Sequence, residues 1–227
     1  MRSLLVLVCF FLSLLSADEE GFVNIFDGQS LQGWSCVQKG VFSVGDRSIK
    51  AENKKSSPIP DNRFLVWDRG APGDFELKLE YKISGDAKAN AGIQIRSSAD
   101  VSGHLIGYQA DIDMKGQWVG CLYDEHTGRK LLAKRGQRVS INKAGERIDA
   151  DLDDKDTLLD NIEADDWNEY HIIAKGSQIT LKINGVLMCE VIDEQIGEAD
   201  KAGLLALQIH KGPPMVVEYR NIRLKNL

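Results

Sequence analysis

Residues 74–83 alternate with a strict period of two. Phe75, Leu77, Leu79, Tyr81 and Ile83 fall on one face, and Glu76, Lys78, Glu80 and Lys82 on the other. Successive side chains of a strand point to opposite faces, so this pattern describes an antiparallel strand with one dry and one wet face. A helix would repeat its apolar residues every three or four positions instead. Shorter segments of similar character recur over residues 23–26, 33–37, 41–44, 48–51, 63–67, 91–96, 106–113, 118–123, 168–174, 178–183, 187–192 and 203–224. Turn pairs such as Asp27-Gly28 and Asn184-Gly185 punctuate them. Many short strands with almost no helix predict an all-β, antiparallel sandwich or jelly roll.

The exceptions are as informative. Residues 52–62, with Lys54-Lys55-Ser56-Ser57 and two prolines, predict a solvated loop. Over residues 137–166 the pattern weakens and charge rises, which predicts an excursion from the sheet. Within it, residues 155–162 suit a short surface helix with Leu158, Leu159 and Ile162 inward. In the last strand the apolar parity shifts from Val217 and Tyr219 to Ile222 and Leu224, which predicts a β-bulge near Arg220-Asn221.

At the start, Met1-Arg2-Ser3 is basic, residues 4–15 are apolar, and Leu15-Ser16-Ala17 is a small-residue cleavage site. That is the form of a secretory signal peptide over residues 1–17, too short to span a bilayer. The expectation is an exported protein, periplasmic or secreted, with residues 18–227 as one domain and no transmembrane span. The formal net charge of −6 argues against nucleic acid or an anionic membrane surface as partner. Cys36, Cys121 and Cys189 have no metal-ligand spacing and suit small buried core thiols.

The chain has no Gly-rich phosphate loop, His-Glu-x-x-His, Gly-x-Ser-x-Gly or Cys-x-x-Cys. It carries instead a repeated polar parity. Gln94 with Arg96, Gln109 with Asp111 and Asp113, and Gln208 with His210 each lie two residues apart on one strand face. On one concave surface they would gather a guanidinium, carboxylates, amides and an imidazole. Such a set hydrogen-bonds a polyhydroxylated ligand and can move protons. The plainer alternative is a cross-strand pair of Arg96 with Asp111. Tyr123, Glu125 and His126 stand where a strand enters a loop, at a rim. His171 suits a structural strand position, and His104 either role. The four tryptophans could stack on sugar rings, but strand positions favour the core.

Six segments then resemble, in order, the 3-keto-disaccharide hydrolase domain family: residues 21–34 (GFVNIFDGQSLQGW), 74–80 (DFELKLE), 90–96 (NAGIQIR), 166–171 (DWNEYH), 183–185 (ING), and 207–215 (LQIHKGPPM) with 219–222 (YRNI). Ala91 departs from the serine frequent in that pattern. The resemblance implies a concanavalin-like jelly roll of the lectin/glucanase type acting on sugars already oxidised at carbon 3. For such a substrate, His210 or Asp111 is expected as base and Arg96 as oxyanion stabiliser. Gln94, Gln109, Asp113, Gln208 and Tyr123 would bind sugar hydroxyls, with Glu125 and His126 at the rim as acid or metal ligands. The sequence requires no cofactor, although a divalent metal could hold the enediolate. The alternative partner to the same sugar is a non-catalytic carbohydrate-binding module of the same shape, and a third reading is a structural surface protein.

Overall fold

The computed structural model describes residues 19–36 and 39–227, so the expected signal peptide lies outside the described residues. The first five strands are short: β1 (Val23–Asn24), β2 (Trp34–Ser35), β3 (Phe42–Gly45), β4 (Ser48–Asn53) and β5 (Arg63–Trp67). Longer strands β6 (Phe75–Gly85), β7 (Asn90–Ala99) and β8 (Leu105–Asp113) follow. Next come β9 (Leu122–Glu125), β10 (Lys130–Ala133), β11 (Gln137–Ile141) and β12 (Arg147–Asp151). A helix of one turn, α1 (Lys155–Leu159), precedes β13 (Asn168–Lys175), β14 (Gln178–Ile183), β15 (Val186–Asp193), β16 (Leu204–Ile209) and β17 (Met215–Asn226).

These strands form two sheets. One has the order β12-β11-β15-β14-β13-β6-β17-β4-β3, with β1 beside β17; the other has the order β10-β9-β8-β7-β16-β5-β2. Phe75, Leu77, Leu79, Tyr81 and Ile83 on β6 are all buried, as the alternation predicts, and the charged residues between them are half-buried. They meet Ile93, Ile95, Tyr108, Ile112 and Leu207 from the other sheet in one core. Each such side chain contributes about 1.5–3 kcal/mol on full burial, which fixes the facing of every strand.

The predicted bulge is present: the register of β17 against β6 breaks between Arg220 and Arg223, and Asn221 has φ +52°. Cys121 and Cys189 are buried thiols, and Cys36 is half-buried. Burial pushes the Cys121 thiol up to about 11. His171 is a strand residue, with Nε2 2.8 Å from Glu76 Oε2. No helix among the described residues is long and apolar enough to cross a membrane.

Three expectations change. Residues 118–121 are a turn and its exit, not the start of a strand, because Asp113 caps their amides. Part of the 137–166 region belongs to the larger sheet after all: β11 pairs with β15, in parallel, and β12 forms the outer edge. All five residues of β12 are exposed, so no apolar face announced it. The helix ends at Leu159 rather than at residue 162; Asp154 caps its start and Leu158 is its one buried residue.

Candidate active site

The site stands on the outer face of the seven-stranded sheet, where the ladder fixes which side chains share a face. Gln94 lies opposite Gln109, and Gly92 opposite Asp111. On the other side of β7, Gln208 lies opposite Gly92, and on β9 Tyr123 lies opposite Gln109. The parity expected for these residues therefore places five polar side chains on one surface across four strands. Unlike an ordinary solvated sheet face, Gln94, Gln109, Asp111 and Gln208 are nearly or fully buried.

Buried amides need partners, and three of these residues provide them for one another. Ser97 Oγ donates to Gln94 Oε1 (2.6 Å), Gln94 Nε2 to Gln109 Oε1 (2.8 Å), and Gln109 Nε2 to Asp111 Oδ1 (2.7 Å). The relay runs in one direction and ends on a carboxylate. Gly92 makes room for it, since a Cβ there would lie 2.6 Å from Gln109 Cδ. Gly92→Ala is expected to displace Gln109 from Asp111 and cost about 1–3 kcal/mol of stability, which thermal denaturation checks.

Asp111 is the electrostatic centre. Desolvation raises its carboxyl well above the usual range, opposed by the Gln109 hydrogen bond and reinforced by the nearby charges of Glu125 and Asp113. It lines a cleft of ≈ 540 Å³ together with Asn90, Asp113, Trp118, Tyr123 and His210. Three lysines, Lys88, Lys115 and Lys211, line the same cleft. The His210 ring lies with Nδ1 against the carbonyl oxygen of Lys211. A carbonyl can only accept, so the neutral ring keeps its proton on Nδ1 and leaves Nε2 as the basic atom.

Glu125 joins the group from the end of β9. Burial raises its carboxyl, while His126, His210 and His104 draw it down. His126 Nε2 is 3.9 Å from Glu125 Oε2, and the His104 and His126 rings are 5.5 Å apart. The loop that carries them is anchored from beneath: Arg129 donates to Asp124 Oδ2 (2.6 Å) and Asp193 Oδ2 (2.8 Å), and Tyr108 donates to the same Asp193 oxygen. No group of three or more His, Cys, Asp or Glu side chains among the described residues is arranged to hold a metal ion. The expected pair of Glu125 and His126 thus has no third ligand among them.

Arg96 is not brought to this surface. The β7–β8 register breaks between Ile95 and Ser98, Arg96 adopts φ +46°, and the parity counted from Gln94 no longer holds. Its guanidinium instead clamps the two sheets. Nε donates to Gly73 O (2.9 Å), Nη1 to Gly176 O (2.8 Å) and Nη2 to Asp74 Oδ1 (3.0 Å). Neither the oxyanion role nor an Arg96–Asp111 pair has this geometry. Asp113 reaches the cleft wall but spends its oxygens on the backbone N–H groups of Gln117, Trp118 and Val119. Gln208 is fully buried, and its amide atoms have no partner among the described residues. Trp118, weighed from sequence as a sugar-stacking ring but expected in the core, lines the cleft; Asn90 and the lysines are cleft residues to which the sequence assigned no role.

The sequence matches, over residues 21–225, a family described as the 3-keto-alpha-glucoside-1,2-lyase-like domain. No curated protein matches it. Among solved structures, the carbohydrate binding module CBM66 from Bacillus subtilis is similar with a TM-score of 0.58 at 14% identity, covering 86% of this chain and 96% of that one. A Parabacteroides distasonis protein provisionally described as a glycosyl hydrolase gives 0.57 at 16% identity, covering 92% and 94%. The Bacillus licheniformis beta-glucanase gives 0.50 at 10% identity, covering 91% and 97%. Likeness at these identities concerns the fold, which is the jelly-roll β-sandwich of the lectin/glucanase type.

Proposed function

This chain belongs to the 3-keto-alpha-glucoside-1,2-lyase-like family, and from that premise we propose that it cleaves glycosides whose sugar carries a ketone at carbon 3. The ketone acidifies the proton on carbon 2. A base removes that proton, and the electron pair forms the enediolate. Its collapse expels the oxygen on carbon 1, which takes up a proton and leaves as the free alcohol. The sugar is left with a double bond between carbons 1 and 2, and addition of water to carbon 1 then completes a net hydrolysis.

The observation that carries this reading is Asp111: a desolvated carboxylate at the end of a one-way amide relay, lining a cleft. Desolvation gives it the basicity that the first step needs. His210 Nε2 is the second candidate base, on the same cleft. Glu125, raised by burial, suits protonation of the leaving oxygen. Tyr123 and Asn90 suit the sugar hydroxyls. With Arg96 engaged elsewhere, Lys88, Lys115 and Lys211 are the cationic groups lining the cleft that suit the enediolate oxygens.

A base works only when deprotonated, so kcat/KM is expected to fall as pH drops through the raised Asp111 value, well above 3.8. A pH series on methyl 3-keto-glucoside checks this, and a profile flat to pH 4 would count against Asp111. The competing reading is a carbohydrate-binding module, which the polar amides on the outer face of the seven-stranded sheet also suit. Incubation with methyl 3-keto-glucoside and its unoxidised parent separates the two. Loss of the oxidised sugar alone supports the enzyme, whereas saturable binding without loss of either sugar supports the module.

A further inference from the structure

Beyond the turn of residues 113–119 lies a second cavity of ≈ 220 Å³. Tyr81, Ile83, Met114, Val119, Leu159 and Ile162 line it together with Asn168 and the exposed carboxylates of residues 163, 165 and 166. It shares Asp113 and Lys115 with the catalytic cleft, so residues 113–115 form a wall common to both. Its apolar side chains come from β6, the 113–119 turn, α1 and the segment after it, while Glu163, Asp165 and Asp166 are exposed residues of the same lining. The aliphatic and aromatic part of this lining would strand the hydroxyls of a sugar ring without partners. An apolar cavity of roughly 150 Å³ is enough to take a benzene ring, so a single substituted ring fits the space.

Of the buried polar side chains in this lining, Asp113 and Asn168 are bonded to backbone groups, which leaves the Tyr81 hydroxyl. Tyr81 is 2% exposed, and its hydroxyl is buried without a hydrogen-bond partner among the described residues. Asp113 and Arg135, both part of or braced against the dividing turn, are the charges that act on it. A buried phenol needs a partner, and a single oxygen on a bound ring would supply one. The wall itself is built to keep its shape. Arg135, also buried, donates to Val119 O (2.6 Å), Gly116 O (2.9 Å) and Lys155 O (2.7 Å), and Asp113 holds the amides of residues 117–119 from the other side.

We propose that this second cavity is the seat of the leaving group, and that the group it takes is a single aromatic ring bearing an oxygen. The inference rests on the glycoside-cleaving reading above. The sugar occupies the cleft beside Asp111, the C1 oxygen lies over the 113–115 wall, and the ring beyond it enters the apolar cavity. When the C1–O bond breaks, its electron pair goes to that oxygen, which takes a proton and stays with the ring as a phenol. The substrate class favoured is therefore a 3-keto glycoside of a monocyclic phenol or aryl alcohol rather than of a second sugar.

Two measurements on the whole protein test this, each on wild type, Tyr81→Phe and Ile162→Trp. The first is binding of 4-fluorophenol, followed by fluorine NMR, which needs no turnover. The second is the ratio of kcat/KM for phenyl and methyl 3-keto-glucosides. Saturable 4-fluorophenol binding is expected, weakened about fivefold by Tyr81→Phe and lost when Ile162→Trp fills the space. The phenyl-to-methyl ratio is expected to fall about tenfold in both variants, equivalent to about 1.4 kcal/mol. Absence of binding to the wild type, or binding that neither variant alters, overturns the cavity as an aryl site. Binding that responds to the variants while the ratio does not move overturns the leaving-group role. If 4-fluorophenol binds as expected but neither glycoside is cleaved, the catalytic reading has failed and the leaving-group role falls with it.

Discussion

Asp111→Asn is expected to lower kcat for 3-keto-glycoside cleavage by about 10³-fold, and to raise thermal stability at neutral pH. Both effects come from one cause. Asn keeps the shape, and its side-chain oxygen can still accept from Gln109 Nε2, but it has no basic oxygen and no charge to bury. For the stability effect, the folded protein favours the protonated carboxyl, whose value is raised well above 3.8. The stability contributed by this group is fully present below the unfolded value and is lost as pH rises through the folded one. The gain in Asn over Asp should therefore appear above pH 4 and grow until the raised value is passed. Thermal melts at pH 4 and pH 8 beside steady-state kinetics make the comparison. A variant that lost stability at pH 8 and kept its rate would remove Asp111 from the mechanism.

Arg96→Ala is expected to be the most destabilising of these substitutions, at about 3 kcal/mol. The side chain is 1% exposed, and its removal strands the carbonyls of Gly73 and Gly176 at the end of the sandwich. Asp74 is 42% exposed and regains water, which keeps the loss at the low end for a buried ion pair. For a domain of this size the melting temperature should drop by roughly 10 °C. Arg96→Lys should recover little, because an ammonium cannot spread three hydrogen bonds over a planar fork. If instead the melting temperature held and kcat fell, the oxyanion role expected from sequence would be restored.

The fate of Arg96 shows where sequence reading ends. Gln109 and Asp111 share a face because nothing interrupts the period of two between them, and such pairings within a strand were legible from spacing; that β7, β8 and β16 lie side by side and join them to Gln94 and Gln208 comes from the ladder. Arg96 stands two residues beyond Gln94, but a left-handed backbone intervenes and sends it to the other sheet. The partner of that bulge is remote in sequence: a Cβ at Gly203 would lie 2.4 Å from the Arg96 carbonyl carbon. No local pattern shows that contact. The bulge in β17 was legible because apolar residues on both sides of it recorded the change of face. The exposed strand β12 left no such record, and the burial of the amides comes with the side-by-side packing of strands that only the folded chain brings together.

The position of β17 bears on how this sandwich forms. Residues 215–226 follow every other strand in the chain, yet they lie between β6 and β4 in the middle of the larger sheet. Until they arrive, β6 and β4 face each other across a gap the width of one strand, with ladder groups unpaired. The sheet therefore cannot close progressively as the chain is synthesised; it waits for its last-made strand. Contacts of such long sequence separation slow folding, and the waiting edges are open to pairing with other chains. A nascent chain of this kind keeps this sheet open until β17 is made and then closes it around that strand.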